Sequence, residues 1–388
     1  MKKTVKSLAI ILLTSFFLMT SITFFSLNDA SIPAFISAIS NSNLSDRHQS
    51  KSDKAVAANS TVKKVIACGQ PFGIKMLTEG IMVVRLSDIN GKMDSCPAKK
   101  AGIHVGDIII SVGGEKITSN EDLSKVISSS GGNAVEVILK RNKSDNESIS
   151  NEELSLKLTP EYCDSEKCYK TGMWVRDSSA GIGTITFYDP STGAFGGLGH
   201  PICDTDTGEL MPLSSGEICE VSITGYKKGE NGNPGELRGR FLSGNQKGIV
   251  TQNTNSGVFG SLNESPSDND EIEIADYDEI KTGKAEILTT ISGSEPQRYS
   301  INIEQINRDD PESKNFVIRV TDKDLLDKTG GILQGMSGSP IIQNGKLVGA
   351  VTHVFVNNSC MGYGILAQTM FSQSQTKTDT DNCLNLAA

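Results

Sequence analysis

The sequence GMSGSP at residues 335–340 places Ser337 in a glycine-rich turn. Glycines beside a nucleophilic serine let the backbone turn sharply, so that neighbouring N–H groups face a developing oxyanion. Gly335 and Ser337 are the predicted donors of that oxyanion hole. The Asn-Gly pair at residues 344–345 predicts a β-hairpin directly after the serine. A β-turn without chemistry is the competing interpretation, and the rest of the chain must decide between the two.

A serine hydroxyl needs a base within hydrogen-bond reach, and histidine is the usual one because its pKa lies near neutral. The chain has four histidines. His48 lies in a polar N-terminal stretch and His104 in the first predicted domain. His200 lies in the sequence GLGHP, which can present a side chain to a cleft, whereas His353 lies in an apolar run and is expected to pack near the site. His200 is therefore the predicted base.

A third group must orient the imidazole, and a carboxylate is the usual choice. The residues alone leave four candidates open: Asp204, Asp322, Asp324 and Asp327. Nothing in their spacing separates them.

The eight cysteines are too few to form a disulfide scaffold in a chain of 388 residues. Cys163 and Cys168 are close enough in sequence to bridge locally. A zinc site would need further ligands, which the four histidines do not obviously supply. We therefore expect neither a metal nor another cofactor.

Length and composition indicate two β-rich domains. A chain of this length exceeds what one hydrophobic core usually organises. Short runs of Val, Ile and Thr, 38 glycines and 5% aromatic residues favour strands and turns. With 37 basic and 46 acidic residues the chain is mildly acidic, so nucleic acid is not an expected partner.

The N-terminus has the charge order of a signal sequence or membrane anchor. Lys2, Lys3 and Lys6 precede an apolar run that ends near Leu27, and about twenty apolar residues can cross a bilayer. Residues 1–27 are therefore predicted to bind the membrane, and the rest of the chain to be exported. Residues 28–64 are rich in Ser, Asn, Ala and Lys and are predicted to form a flexible tether.

Residues 65–160 are similar to PDZ domains. The stretch PAKKAGIHVGDIIISVGG matches their helix, turn and strand pattern, and GQPFGI stands where they hold a carboxylate-binding loop. The resemblance implies that a peptide adds as an extra strand beside Ile74, with N–H groups near Phe72 and Gly73 capturing a carboxylate. A small β domain without a ligand is the alternative.

Residues 171–388 show many short strands with glycine-rich turns, which indicates an all-β barrel or sandwich. Two stretches, GGLGHPICDTDTG and TDKDLLDKTGGILQGMSGSPIIQNGKLVGAVTHVF, resemble the SpoIVB peptidases of endospore-forming bacteria. The resemblance implies that His200 is the base, Ser337 the nucleophile and Asp322 the orienting acid. That order is similar to chymotrypsin-like proteases and implies a double β-barrel.

The same resemblance implies a role in sporulation. The peptidase would be exported from the forespore, cut itself near its N-terminus and become soluble in the space between two membranes. There it would cleave a membrane-bound regulator and release a sigma-factor checkpoint. A non-catalytic PDZ adaptor with a protease-like domain is the alternative function. The presence of all three residues of the implied triad favours the serine endopeptidase.

Overall fold

The computed structural model describes residues 62–145, 148–230, 232–242, 244, 246–310 and 314–376. Strands dominate these residues, which confirms the mainly β prediction. Their helices are few and short. They are α1 (Pro97–Lys100), α2 (Asn120–Ser129), α3 (Lys323–Thr329) and α4 (Ala367–Ser374).

Most strands belong to one sheet of 13 strands. These are β1 (Lys64–Ala67), β2 (Pro71–Leu86), β3 (Ile108–Val112), β4 (Glu115–Lys116), β5 (Val135–Asp145), β6 (Ser148–Leu158), β9 (Met173–Tyr188), β10 (Ala194–Gly197), β11 (Leu213–Lys227), β12 (Glu236–Phe241), β13 (Gly248–Thr254), β14 (Gly257–Leu262) and β15 (Glu271–Glu273). A separate hairpin pairs β7 (Glu161–Cys163) with β8 (Cys168–Lys170).

The C-terminal strands close into a six-stranded barrel. They are β16 (Gly283–Thr289), β17 (Gln297–Ile306), β18 (Phe316–Val320), β19 (Pro340–Gln343), β20 (Lys346–Phe355) and β21 (Asn358–Leu366). Alternate residues of these strands point inward, as the twofold period of a strand requires. Ile287, Ile303, Phe316 and Ile341 are fully buried in the resulting core.

Six strands of the large sheet also pair in a closed circuit. Antiparallel pairs join β2 to β9, β9 to β10, β10 to β14, β14 to β13, β13 to β11, and β11 back to β2. Phe72, Met76 and Phe195 are buried in the core that this circuit encloses. The described part of the chain therefore contains two six-stranded circuits, this one and the C-terminal barrel.

The PDZ-like part is inserted into the first circuit. Strands β2 and β9 are each 16 residues long. Residues 71–77 of β2 pair with β9 within the circuit, the register then breaks, and residues 82–86 pair with β9 again beside β3. This second half joins β3, β5, β6 and helix α2 around a core of its own.

This connectivity corrects the predicted boundary of the PDZ-like domain. The sequence pattern assigned residues 65–160 to that domain and residues 171–388 to the peptidase. In the structure β1 and the first half of β2 belong to the peptidase sheet, because they pair with β9, β11 and β15. Local alternation of side chains does not reveal which distant strand a segment will pair with.

The predicted membrane segment at residues 1–27 lies outside the described residues, as does the predicted tether up to residue 61. Lys64, the last residue assigned to the tether, begins β1. No helix of the described part of the chain is long and apolar enough to span a bilayer.

Candidate active site

The loop that carries Ser337 runs from helix α3 to strand β19. Three hydrogen bonds from two threonines of β9 hold this loop in place. The Thr184 N–H donates to Ser337 O at 3.0 Å, and its hydroxyl donates to Gly335 O at 2.9 Å. The hydroxyl of the buried Thr186 donates to Gly338 O at 2.7 Å. A strand of the first circuit thus fixes the serine loop of the barrel.

Gly338 allows this close approach. It has φ +96°, and a Cβ there would lie 2.0 Å from Thr184 O and 2.6 Å from Leu198 N. Its N–H donates to Val351 O at 2.7 Å, so the loop is also bonded to β20. Only glycine meets both the backbone angle and the space.

The N–H groups of Gly335 and Ser337 have no acceptor within the described part of the chain, whereas those of Met336, Gly338 and Ser339 are each bonded to a carbonyl. Both residues are half-buried, and a backbone N–H without a partner can donate to a ligand. The two donors predicted for the oxyanion hole are therefore the two that remain available. An incoming oxyanion would satisfy them.

The hydroxyl of the half-buried Ser337 donates to Thr352 O at 2.6 Å. Thr352 lies on β20 and directly precedes His353. In this state the serine proton is directed to a backbone carbonyl and not to an imidazole. The proton must be redirected from this carbonyl before a base can take it.

His200 directly follows β10 and a glycine turn, as the sequence predicted. Its Nδ1 lies 2.8 Å from Pro201 O. A carbonyl only accepts, so Nδ1 must carry the proton in this bond, which leaves Nε2 as the acceptor that a general base needs. Burial lowers the pKa of His200, and the Pro201 bond opposes that shift to a smaller extent. The imidazole is thus held in its neutral form.

His353 stacks on His200. The ring centroids are 4.7 Å apart and the planes differ by 36°. Partial removal from water lowers the pKa of His353 to about 4. The charge of Lys314, and that of His200 when it is protonated, act in the same direction. His353 is therefore neutral near pH 7 and adds no positive charge beside the base. The prediction that it packs beside the site agrees with this contact.

Ser337 and His200 line one open cavity of about 410 Å³, together with Thr352 and His353. The remaining lining is mainly apolar. It includes Ile74, Ile182, Leu198, Ile202, Ile332, Leu333, Val354 and Val356. No Asp, Glu, Lys or Arg of the described residues lines this cavity.

The structure does not bring Asp322 to His200, so its predicted role as the orienting acid is corrected here. Asp322 is the N-cap of α3, where Oδ1 accepts from Leu325 N at 3.1 Å. Its Oδ2 accepts from Ser300 N at 3.3 Å, and Asp322 does not line the cavity. The carboxylate thus accepts one N–H at the start of the helix, a common role for aspartate, and one N–H of strand β17.

The other acid candidates do not contact the imidazole either. Asp204 is buried and pairs with Arg176, and its Oδ1 accepts two N–H groups of its own loop. Asp324 pairs with Lys328 at 2.7 Å, and Asp327 does not line the cavity. Within the described residues, the group bonded to Nδ1 of His200 is the carbonyl of Pro201.

The predicted peptide-binding residues Phe72, Gly73 and Ile74 are not at a free sheet edge, and this prediction is wrong. Both neighbours of this part of β2 are present: β11 on one side and β9 on the other. Phe72 and Ile74 are buried, and the ring of Phe241 covers Gly73 so closely that a Cβ would lie 2.3 Å from it. A strand paired on both edges cannot accept a peptide as a third partner.

Sequence reasoning missed Thr184, Thr186 and Pro201. The two threonines alternate with Ile185 and Phe187 in β9, so they share one face of the strand. Hydroxyl groups on a buried strand face require partners, and that was the available signal. The role of Pro201 as the orienting carbonyl has no sequence signal, because every residue carries that group.

Comparisons with known proteins identify two family models that match the chain. The family model described as SpoIVB peptidase S55 matches residues 167–371, and a PDZ domain model matches residues 93–141, after the end of β2. No curated protein matches the chain.

Two solved structures are similar in part. The inactive form of the Rv3671c protease covers 50% of this chain and 85% of its own, with 13% identity and a TM-score of 0.30. The active form of that protease from M. tuberculosis covers 52% of this chain and 76% of its own, with the same identity of 13% and TM-score of 0.30.

Proposed function

Since the chain belongs to the SpoIVB peptidase S55 family and is a serine peptidase, we propose that it is a self-processing endopeptidase of sporulation. One observation carries the proposal. Ser337 and His200 line the same cavity, beside two backbone N–H groups without acceptors in the described chain. The proposed substrates are an extended segment of its own N-terminus and a membrane-associated regulator.

The proposed reaction begins when a peptide carbonyl enters the cavity. Ser337 turns its hydroxyl from Thr352 O to Nε2 of His200, gives up its proton and attacks the carbonyl carbon. The N–H groups of Gly335 and Ser337 stabilise the oxyanion. His200 then passes the proton to the leaving amine, and water releases the acyl group by the same route.

Pro201 takes the position that a carboxylate has in a triad. Its carbonyl fixes the tautomer and orientation of His200 through Nδ1. A neutral carbonyl stabilises the imidazolium less than a carboxylate does, so turnover is expected to be slower than in a complete triad. Slow turnover suits a peptidase that acts once on a signal.

The lining of the cavity indicates the substrate class. Its walls are apolar and carry no charged side chain among the described residues. A charged residue bound there would lose its hydration without gaining an ionic partner. The proposed cleavage site therefore has apolar or small residues next to the scissile bond.

The proposed location follows from the N-terminal sequence. Residues 1–27 are proposed to anchor the chain in the forespore membrane, with the peptidase in the intermembrane space. Cleavage within the tether, between residues 28 and 62, would release a soluble enzyme. An extended tether can enter a cleft, whereas paired strands must first unfold.

The test uses the chain from residue 28 onward, as wild type and as Ser337→Ala. Mass spectrometry follows the N-terminus with time. Wild type should shorten within residues 28–62. Ser337→Ala should stay intact until active enzyme is added, and should then shorten at a rate that rises with enzyme concentration. Ser214→Ala, at an exposed serine of β11, is the matched control and should behave as wild type. Equal trimming of Ser337→Ala alone would show that another protease does the processing.

A further inference from the structure

The free edge that a PDZ domain offers to a peptide is occupied here by the chain itself. In PDZ domains a bound peptide adds a strand to the sheet. Residues 82–86 of β2 would present such an edge, but the first residues of β9 pair with them. Val175 lies opposite Val83, and Met173 lies opposite Leu86.

The side chains of this β9 segment alternate between the PDZ core and solvent. Met173 and Val175 pack against the apolar cluster that contains Leu123 and Val126 of helix α2. Trp174 points the other way and is 58% exposed. Pockets for alternate side chains are what give a strand-adding groove its specificity.

An acidic side chain completes the contact with the helix. The Asp177 carboxylate accepts the N–H of Asn120, the first residue of α2, at 3.0 Å. The first N–H groups of a helix lack partners within the helix and attract negative charge. A cavity of about 880 Å³ also continues beside this segment and is lined by Leu123, Ile127 and Trp174.

We propose that residues 173–177 are an internal ligand of the PDZ groove. An external peptide of the same pattern competes with them: an extended segment with two apolar residues at alternate positions, followed by an acidic residue. The register break between Leu77 and Met82 of β2 separates this segment from the rest of β9. The paired strands of the first circuit can remain intact when the segment leaves. Release also breaks the ion pair between Arg176 and the buried Asp204 and the bond from Thr78 to Asp177 O, so the open state is the minor one.

Self-occupation lowers the apparent affinity for any external peptide. The groove binds only in the fraction of molecules whose internal segment has left, so the apparent Kd rises by the inverse of that fraction. A substitution that weakens the internal segment should therefore tighten external binding. A groove that is simply open would respond in the opposite way or not at all.

The test uses Ser337→Ala protein, so that no peptide is cut and the result does not depend on the proposed function. The labelled probe is TGMFVRDS, which copies residues 171–178 with Phe in place of Trp, and TGSFSRDS is the control peptide. Trp174 is the only tryptophan of the chain. Its emission therefore reports whether the internal segment is displaced.

Val175→Thr should bind the probe about fivefold more tightly than the parent, because the internal segment is released more often. Val135→Thr is the matched control, since Val135 is also a half-buried valine on the same apolar cluster but lies on β5. It should bind as the parent does. Saturating probe should shift Trp174 emission to the red, and the control peptide should not.

Asp177→Asn, which keeps the side chain but removes the charge at the start of α2, should also tighten probe binding and serves if Val175→Thr folds poorly. Equal affinity in all four proteins would overturn the proposal. Probe binding that leaves Trp174 emission unchanged would also overturn it. The same holds if the probe binds neither Val175→Thr nor Asp177→Asn.

Discussion

The catalytic cavity and the PDZ groove both suit an extended peptide, but they differ in what satisfies their polar groups. At the cavity, the N–H groups of Gly335 and Ser337 have no acceptor within the described chain. At the groove, β9 pairs with the edge of β2 and Asp177 takes the first N–H of α2. A site that performs chemistry must keep donors for its transition state, whereas a site that only binds can be closed by its own chain.

The two regions are also held differently. Hydrogen bonds from Thr184 and Thr186 fix the serine loop. Backbone pairing with β2, the bond from Asn120 N to Asp177 and the apolar packing of Met173 and Val175 hold the groove segment, and an external peptide of the same pattern can reproduce all three. Directional bonds fix a catalytic group within a narrow geometry, while apolar packing tolerates exchange for another apolar segment. The predictions below test this contrast.

The largest expected effect is at the base. His200→Ala should lower kcat/KM for a model peptide by about three orders of magnitude or more, because it removes the proton acceptor of the serine. His353→Ala should cost about tenfold or less, since His353 packs beside the base. Steady-state kinetics on both variants decides the matter. A reversed order of effects would make His353 the base.

The next largest expected effect is on stability: Gly338→Ala should distort the serine loop and lower the free energy of unfolding. An added Cβ would lie 2.0 Å from Thr184 O, so the loop or β9 must move. Gly345→Ala is the matched control, since both glycines have positive φ but a Cβ at Gly345 meets nothing within 4 Å. Denaturant unfolding should show a loss larger by about 2 kcal/mol for Gly338→Ala. Equal losses would mean that the close contact with Thr184 contributes nothing.

Asp322 separates a structural role from a catalytic one. As an N-cap, Asp322→Ala should lower the free energy of unfolding by about 1 kcal/mol, while Asp322→Asn, another good N-cap, should keep both stability and most activity. An orienting acid of a triad would behave differently. Its replacement by Asn would lower kcat by about four orders of magnitude in a folded protein. Parallel unfolding and kinetic measurements on the two variants distinguish these outcomes.

The smallest effect is a displaced pH profile. The proposed base is neutral His200. Burial lowers its pKa, so protonation requires a lower pH than for an ordinary histidine at about 6.5. The acid limb of kcat/KM should therefore have its midpoint below pH 6.5. Probe binding to the PDZ groove should not follow this limb, because no histidine of the described residues lines the groove cavity. A midpoint above 6.5 would contradict the buried, neutral base.

The sequence by itself determined the features that depend on neighbours in the chain. The glycine-rich turn and the Asn-Gly pair placed Ser337 directly before β19 and its hairpin with β20, as the structure has it. Turn chemistry is local, because φ and hydrogen bonding within a few residues decide it. The glycine turn before His200 likewise presented that residue to the cavity.

Only the tertiary structure decided which partners these elements meet. The sequence predicted that Phe72 to Ile74 lie on an edge strand. Alternation of side chains shows burial but not which strands lie alongside, and here those strands are β9 and β11. Asp322 was predicted to be the orienting acid because the sequence does not show that the N–H groups of Leu325 and Ser300 donate to its carboxylate. The bond from His200 to the Pro201 carbonyl and the occupation of the PDZ groove by β9 also depend on the tertiary structure. Backbone groups are identical in every residue, so only the folded arrangement decides which of them is paired.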